Sequence, residues 1–315
     1  MILVTGGLGF IGLHCARALL DRGEDVVLTR FRTNRSPSFL EAELGRRAFV
    51  EQLDIGDVEQ LEAIGRKHSI DAIVHLAVPG RGALGPGPEV RTNLLGLINV
   101  LEAAERWGVR RLAVAGSVAV YARTPEVPMR EDVRLPLDSA GPTEAFKKSV
   151  EILAGHYADR TGLPLVLMRV SVVWGPLYHS MWNLPSRAAH AAVHGTPFEP
   201  GGSNGTHAED GGDLCYVKDC AQAVALLVTA PVLRHRTYNV GDGRPTTNAQ
   251  VVAAVQKAVP DAHLPLLDGH DPAGPGFVNF EDLTRIREDV GYEPGYDVER
   301  GMAEYVAWLR AGNPH

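Results

Sequence analysis

Gly6, Gly9 and Gly12 fall three residues apart in VTGGLGFIG, at the end of a short apolar run that starts at Ile2. Between a strand and a helix, this spacing permits a tight turn, close main-chain approach to a pyrophosphate and close packing of the helix, whose N-terminal N–H groups favour an anion. A second constellation closes the next apolar run, VVLTRFRTNR, where Thr29 is followed by Arg30, Arg32 and Arg35. In a dinucleotide site a carboxylate at this place binds a ribose 2′-hydroxyl, whereas a 2′-phosphate needs cations. Three guanidinium forks and no carboxylate predict NADPH (NADP+) over NAD(H). A third lies in GPTEAFKKSVE, where Thr143 and Lys147 share a helical face at i, i+4. HAAVH gives His190 and His194 metal-ligand spacing. It lacks the glutamate of a zinc helix and a third ligand, so no metal is expected.

These residues need a scaffold of alternating strands and helices. MILVTG, DVVLTR, AFVEQLD, DAIVHLA, RRLAVAGS and LPLVLMRVS are short, apolar, β-branched runs bounded by Gly, Asp or Ser, as buried parallel strands are. IGLHCARALLDRG and NLLGLINVLEAAERWG between them carry helical periodicity and end at glycine. The fold class predicted is α/β, a doubly wound parallel Rossmann sheet with a smaller, mostly C-terminal substrate-binding domain. PGRGALGPGPE and EPGGSNGTHAEDGGD read as long loops bordering a ligand crevice at the strand ends.

Composition narrows the function classes. With 315 residues, 45% hydrophobic and 22% charged, the chain is an ordinary globular protein. No run approaches the roughly 18 apolar residues of a membrane span. A net charge of −7 disfavours general nucleic-acid binding. A first strand starting at once leaves no room for an export signal, and Cys15, Cys215 and Cys220 form no CxxC pair, so a reduced, cytoplasmic setting and a small-molecule partner are expected.

The motifs together resemble the extended short-chain dehydrogenases/reductases, the NAD-dependent epimerase/dehydratase family. Besides the glycine turn there are LDIGD with Asp54, IVHLA with Leu76 and Ala77, RTNLLG with Asn93, GSVAVYA with Ser117 and LMRVSVVWGP with Arg169. CYVKDCAQAV, YNVGDG and TRIREDVGYEP extend the likeness nearly to the end. The resemblance implies a Rossmann domain of 1–175 plus 215–242 and a substrate domain of 176–214 plus 243–315. It implies cofactor contacts from Gly6, Leu8, Gly9, Phe10, Ile11, Gly12, Arg30, Arg32, Asp54, Ile55, Leu76, Ala77, Asn93, Lys147, Val170 and Val172. Ser117, Thr143, Tyr121 and Trp182 would meet substrate.

In that family Ser, Tyr and Lys act together, and two departures stand out here. Ser117 and Lys147 fit, the latter because its step to Glu151 matches, while Lys148 fits less well and Thr143 falls on the tyrosine position. A threonine hydroxyl is a far poorer acid than a phenol of pKa near ~10, so Thr143, placed with Ser117 and Lys147 in the catalytic set, is expected to bind and not to titrate. Gly212 in GGDLCYV stands where nucleotide-sugar members carry an arginine, which removes a bidentate partner for a diphosphate. With the aromatic LYHSMWNLP stretch, this implies an uncharged aromatic ketone. The pattern resembles the tyrosine-lacking ketoreductases of aromatic-polyketide antibiotic pathways. The expected function is therefore NADPH-dependent reduction of an angucyclinone-like carbonyl, the proton coming from the substrate's own neighbouring phenol. A nucleotide-sugar epimerase, dehydratase or reductase, or a non-catalytic NADP-binding sensor, are the alternatives.

Overall fold

The structure is a computed structural model that describes residues 1–32, 35, 38–78, 84–139, 141–200 and 206–313. In chain order the first half comprises β1 (Ile2–Thr5), α1 (Phe10–Asp21), β2 (Val26–Arg30), α2 (Ser38–Glu41), β3 (Ala48–Gln52), α3 (Val58–Lys67), β4 (Ala72–His75), α4 (Pro86–Arg106) and β5 (Arg111–Ala115). A 3-10 turn, Val118–Tyr121, precedes α5 (Pro142–Thr161), β6 (Leu165–Val170), β7 (Val172–Trp174), α6 (Leu184–His194), β8 (Gly211–Gly212) and β9 (Leu214–Tyr216). The remainder is α7 (Val217–Thr229), β10 (Thr237–Val240), β11 (Thr246–Thr247), α8 (Asn248–Ala258), α9 (Thr284–Val290) and α10 (Val298–Arg310).

Among the described residues the main sheet has seven strands, ordered β10-β6-β5-β4-β1-β2-β3, all paired in parallel. The apolar runs are continuous because both faces are covered. Alternate residues go to opposite layers. Ile2 and Val4 pack with α1 and α7, while Leu3 packs with residues of α3, α4 and α5. The order reverses between β1 and β4, and a doubly wound sheet opens its ligand crevice at such a point, beyond the carboxyl ends of the strands. A third apolar cluster joins α6, α8 and α10 around Trp174 and Tyr216.

The six strands read from sequence all form, and β10 completes the sheet. The two long loops need correction. Residues 79–83 and 201–205 lie outside the described residues. Pro86 is no loop residue but sits in the first turn of α4, where its missing N–H costs nothing and its fixed φ suits a helix start. Gly211 and Gly212 form a strand paired with β11, where a Cβ on Gly211 would stand 2.0 Å from the Thr246 carbonyl oxygen.

Candidate active site

The β1–α1 turn is built from main chain. Gly6 has φ +66°, a left-handed conformation suited to glycine, and its carbonyl accepts Gly9 N–H at 2.9 Å. A Cβ on Gly12 would lie 2.4 Å from that same oxygen, so α1 approaches the turn as closely as glycine allows. Gly9 caps α1 without a side-chain hydrogen bond, leaving its first N–H groups for a ligand or water. Phe10 turns its ring onto Tyr178, 5.1 Å between centroids, so it offers the turn only main chain; Leu8 is buried and Ile11 is partly buried against the core.

Thr29 is buried, its hydroxyl accepting Gly6 N–H at 3.0 Å, so it braces the turn. Arg30 and Arg32 after it are exposed, Arg32 lying 5.0 Å over the Phe31 ring. Across the crevice the Thr5 hydroxyl accepts Leu76 and Ala77 N–H groups, both at 3.2 Å. That leaves its own proton for His75 Nδ1 at 2.8 Å, an assignment made from the network that puts the ring proton on Nε2. Burial, with Lys147 nearby, drops His75 to about 3, so it is neutral. Asp54 accepts Gly56 N–H, Ile55 packs against the Gly96 backbone of α4, and Asn93 on α4 is buried with its Oδ1 unpartnered among the described residues.

Ser117 follows β5 by two residues, and Lys147 of α5 reaches the last residue of that strand. Ser117 Oγ caps the 3-10 turn by accepting Ala119 N–H at 3.1 Å, which leaves its hydroxyl proton for an acceptor. Lys147 Nζ donates to Ala115 O at 2.6 Å, two residues before Ser117, and burial lowers it to about 8. Lys148 points elsewhere: it is buried, donates to Pro136 O and Asp138 O, and pairs with Glu144 at 2.7 Å. Thr143 is exposed one turn before Lys147.

Arg169 fastens these pieces. On β6 it forms a two-bond pair with Glu151 of α5, at 2.8 and 2.7 Å, and donates to the Tyr121 hydroxyl at 2.8 Å. Tyr121 in turn donates to Asn239 Oδ1 at 2.7 Å. Tyr121, expected to meet substrate, lines the cavity with its ring, while its hydroxyl is engaged in a buried network and burial raises its pKa. Trp182 is 41% exposed in the segment before α6 and is not a wall of that cavity.

The cavity, about 160 Å³, lies beside the Ser117 turn, walled by Val118, Ala119, Tyr121, Ala122, Met129, Ser171, Val172, Gly212, Asp213 and Asn279. Val170, one residue before Ser171, is buried. Ser171, Asp213 and Asn279 were not foreseen from sequence; Asn279, whose Oδ1 is buried without a partner among the described residues, sits in GFVNFED, a stretch with no motif to mark it. A larger crevice of about 580 Å³ passes His14, Phe39 and Trp308 between α1, α7 and α10, but neither the glycine turn nor Ser117, Thr143 or Lys147 lines it. Among the described residues no group of three or more His, Cys, Asp or Glu could hold a metal, and no helix is long and apolar enough to cross a membrane. His190 and His194 stack 5.6 Å apart, with His190 Nε2 3.1 Å from the Tyr305 hydroxyl. The three cysteines are buried and free.

A seven-stranded doubly wound sheet with a glycine-turned first crossover, and a serine and a lysine presented at the end of the fifth strand, define a Rossmann-type α/β protein. The chain belongs to the NAD dependent epimerase/dehydratase family, whose model matches residues 2–241. It is 29% identical to a probable UDP-glucuronate 4-epimerase of Rhizobium meliloti, over 97% of this chain and 96% of the relative. It is 28% identical to a dTDP-glucose 4,6-dehydratase of Escherichia coli, over 98% and 92%. Among solved structures, the UDP-glucose 4-epimerase of Thermus thermophilus, in complex with NAD, is 27% identical with a TM-score of 0.77 over 98% of both chains. The UDP-N-acetylglucosamine 4-epimerase of Methanobrevibacter ruminantium reaches a TM-score of 0.84 at 22% identity, over 99% of this chain and 98% of that one, a likeness of fold.

Proposed function

We propose that the chain binds a nicotinamide dinucleotide at the β1–α1 turn and catalyses an oxidation or reduction at a carbinol or carbonyl carbon of a nucleotide sugar. The observation that carries this reading is that Lys147 bonds the Ala115 carbonyl at the end of β5, two residues before Ser117, in a chain similar end to end to epimerases and dehydratases of that substrate class. The glycine cradle, where any Cβ on Gly12 would clash, fits a pyrophosphate. The dinucleotide, when bound, gives or takes the hydride. Ser117 holds the reacting oxygen through its free hydroxyl proton, and Lys147 holds the nicotinamide ribose. Gly6, Leu8, Gly9, Phe10, Ile11, Gly12, Asp54, Ile55, Leu76, Ala77, Asn93, Val170 and Val172 border the cofactor. Arg30 and Arg32 receive the 2′-phosphate of NADP(H), and residues 176–214 and 243–315 form the substrate domain.

One set of observations favours a second reading, an NADPH-dependent ketoreductase acting on an uncharged aromatic ketone. Thr143 offers no phenol, the Tyr121 hydroxyl is committed to Arg169 and Asn239, and no cation is among the described residues walling the cavity. On this reading the substrate's own phenol supplies the proton, and Trp182 and Thr143 contact its rings.

Calorimetric titration is expected to give tighter binding of NADPH than NADH, with the preference lost in Arg30→Ala; equal affinities would overturn the phosphate assignment. UDP or dTDP is expected to raise the melting temperature of the NADPH complex. No shift with either nucleotide, together with NADPH oxidation on a hydroxyaryl ketone, would replace the first reading by the second.

A further inference from the structure

Behind the cavity wall lies a group with no role in the reading above. Glu281 is 1% exposed, and neither carboxyl oxygen has a hydrogen-bond partner among the described residues. Its neighbour is Asp213: a Cβ placed on Gly241 would stand 2.5 Å from Glu281 Oε2 and 2.7 and 2.9 Å from the two Asp213 oxygens, so both carboxyls converge on one point. The surrounding charges do not neutralise them. Arg169 of β6 is paired with Glu151, Arg285 of α9 lies 3.5 Å from Glu131, and Arg244 pairs with Asp242 at 2.7 Å, so each guanidinium already has a carboxylate. The other groups facing Glu281 are Glu131 from the segment after the 3-10 turn and Cys220 from α7. Asp213 is the better placed of the two to carry a charge, because it accepts N–H groups of Asp242, Gly243 and Glu281 at 2.7, 2.8 and 3.1 Å, although burial still raises its carboxyl pKa. Glu281 has no such donors, and two bare carboxylates cannot both be ionised in a dry interior.

We propose that Glu281 and Asp213 share one proton, and that this clasp seats the wall of the candidate cavity by holding residues 211–213, 241–243 and 279–283 together. Both Asp213 and Asn279 line that cavity, and Ser171, a third wall residue, donates to Asp213 O at 2.6 Å. Glu281 is thus a positioning residue: ionising it sets two like charges at the junction and loosens the Asn279 wall. Burial, then Asp213 and Glu131, raise the Glu281 pKa well above the ordinary range, with Arg169 opposing, which agrees with the geometry. A carboxyl whose pKa is raised on folding binds more protons in the native state, so stability falls as pH rises from the unfolded value of ~4.3 towards the folded one.

The test needs no substrate and does not depend on which one the enzyme takes. Glu281→Gln imitates the protonated state. Urea unfolding between pH 5 and 9, a range of about four units above the unfolded carboxyl pKa, should show wild type losing stability more steeply than the variant, which is expected to be the more stable at the alkaline end. Hydrogen exchange in the 279–283 amides, corrected for intrinsic rates, should accelerate roughly tenfold more in wild type than in the variant across that range, the factor that one unit of pKa represents. Infrared spectra should show a protonated-carboxyl band that Glu281→Gln removes. As an independent probe, Gly241→Ala, which drives a methyl between the two carboxyls, should shift the frequency of that band. Parallel pH profiles for wild type and Glu281→Gln, or no protonated-carboxyl band in wild type, would overturn the proposal.

Discussion

The two ends of the candidate site hold their shape by opposite means. At the β1–α1 turn, position is set by main chain and by the absence of side chains at Gly6 and Gly12, with Thr29 as a brace. At the β5–α5 end, position is set by buried ions, Arg169 with Glu151 and Lys148 with Glu144. The first arrangement tolerates no added atom, whereas the second depends on charged partners, one pair joining β6 to α5 and the other lying four residues apart on α5. The largest effect is therefore expected at the glycine end. Gly12→Val would place branched carbons against an oxygen 2.4 Å from the first of them, which must push α1 off the turn. NADPH affinity should fall at least ~100-fold, about 2.7 kcal/mol, while far-ultraviolet circular dichroism stays native. Retained affinity would show that the cradle is not formed by this close approach.

Neighbouring lysines on α5 sharpen the contrast within the ionic end. Lys148→Met should destabilise by an amount near the low end of the roughly 3–5 kcal/mol for breaking a buried pair, since Glu144 keeps a contact to Arg123 at 3.3 Å. Lys147→Met should do the reverse. Its ammonium is depressed to about 8 by burial, so the unfolded chain binds that proton more tightly than the folded one. The cost is full below pH 8 and fades as pH rises through about 10, the unfolded lysine value. After loss of the hydrogen bond to Ala115 O, a net gain on the order of 1 kcal/mol at pH 7 is expected, together with weaker NADPH binding. Urea midpoints and calorimetry on both variants check it, and losses of equal size would show that the two lysines are equivalent.

The same contrast explains what could be read in advance. Strands β1 to β6 and the glycine turn were legible because their signals are local: apolar runs, a helical period, glycines at fixed offsets. Choosing Lys147 over Lys148 rested on the step to Glu151, and Arg169 is the reason that step matters, since it ties Glu151 to the Tyr121 turn. The engagement of the Tyr121 hydroxyl could not be read, because its partners Asn239 and Arg169 lie 118 and 48 residues away. Asn279 and Glu281 were invisible for the same reason: nothing in GFVNFED announces that its carboxyl will meet Asp213 over Gly241. The start of α4 at Pro86 was lost in a glycine- and proline-rich stretch, although Pro at a helix start has a physical meaning of its own.

The smallest effect is expected at Thr143, one turn before Lys147 on α5. It is exposed at the start of the helix, and its neighbours Glu144 and Lys148 do the anchoring. Removing an exposed hydroxyl from such a place normally changes stability by no more than ~0.5 kcal/mol. As a proton donor it would also be unsuited, because an aliphatic hydroxyl gives up its proton far less readily than a phenol of pKa near ~10. Thr143→Val should therefore keep its urea midpoint, its NADPH affinity and most of kcat on whichever substrate class titration and turnover select. Thr143→Tyr restores a phenol one turn from Lys147, whose ammonium, charged below about 8, favours a phenolate, and should raise kcat near neutral pH if proton transfer limits turnover. A collapse of kcat in Thr143→Val with cofactor affinity intact would instead place proton transfer on the threonine, and would make the exposed start of α5 part of the ionic end and not a bystander to it.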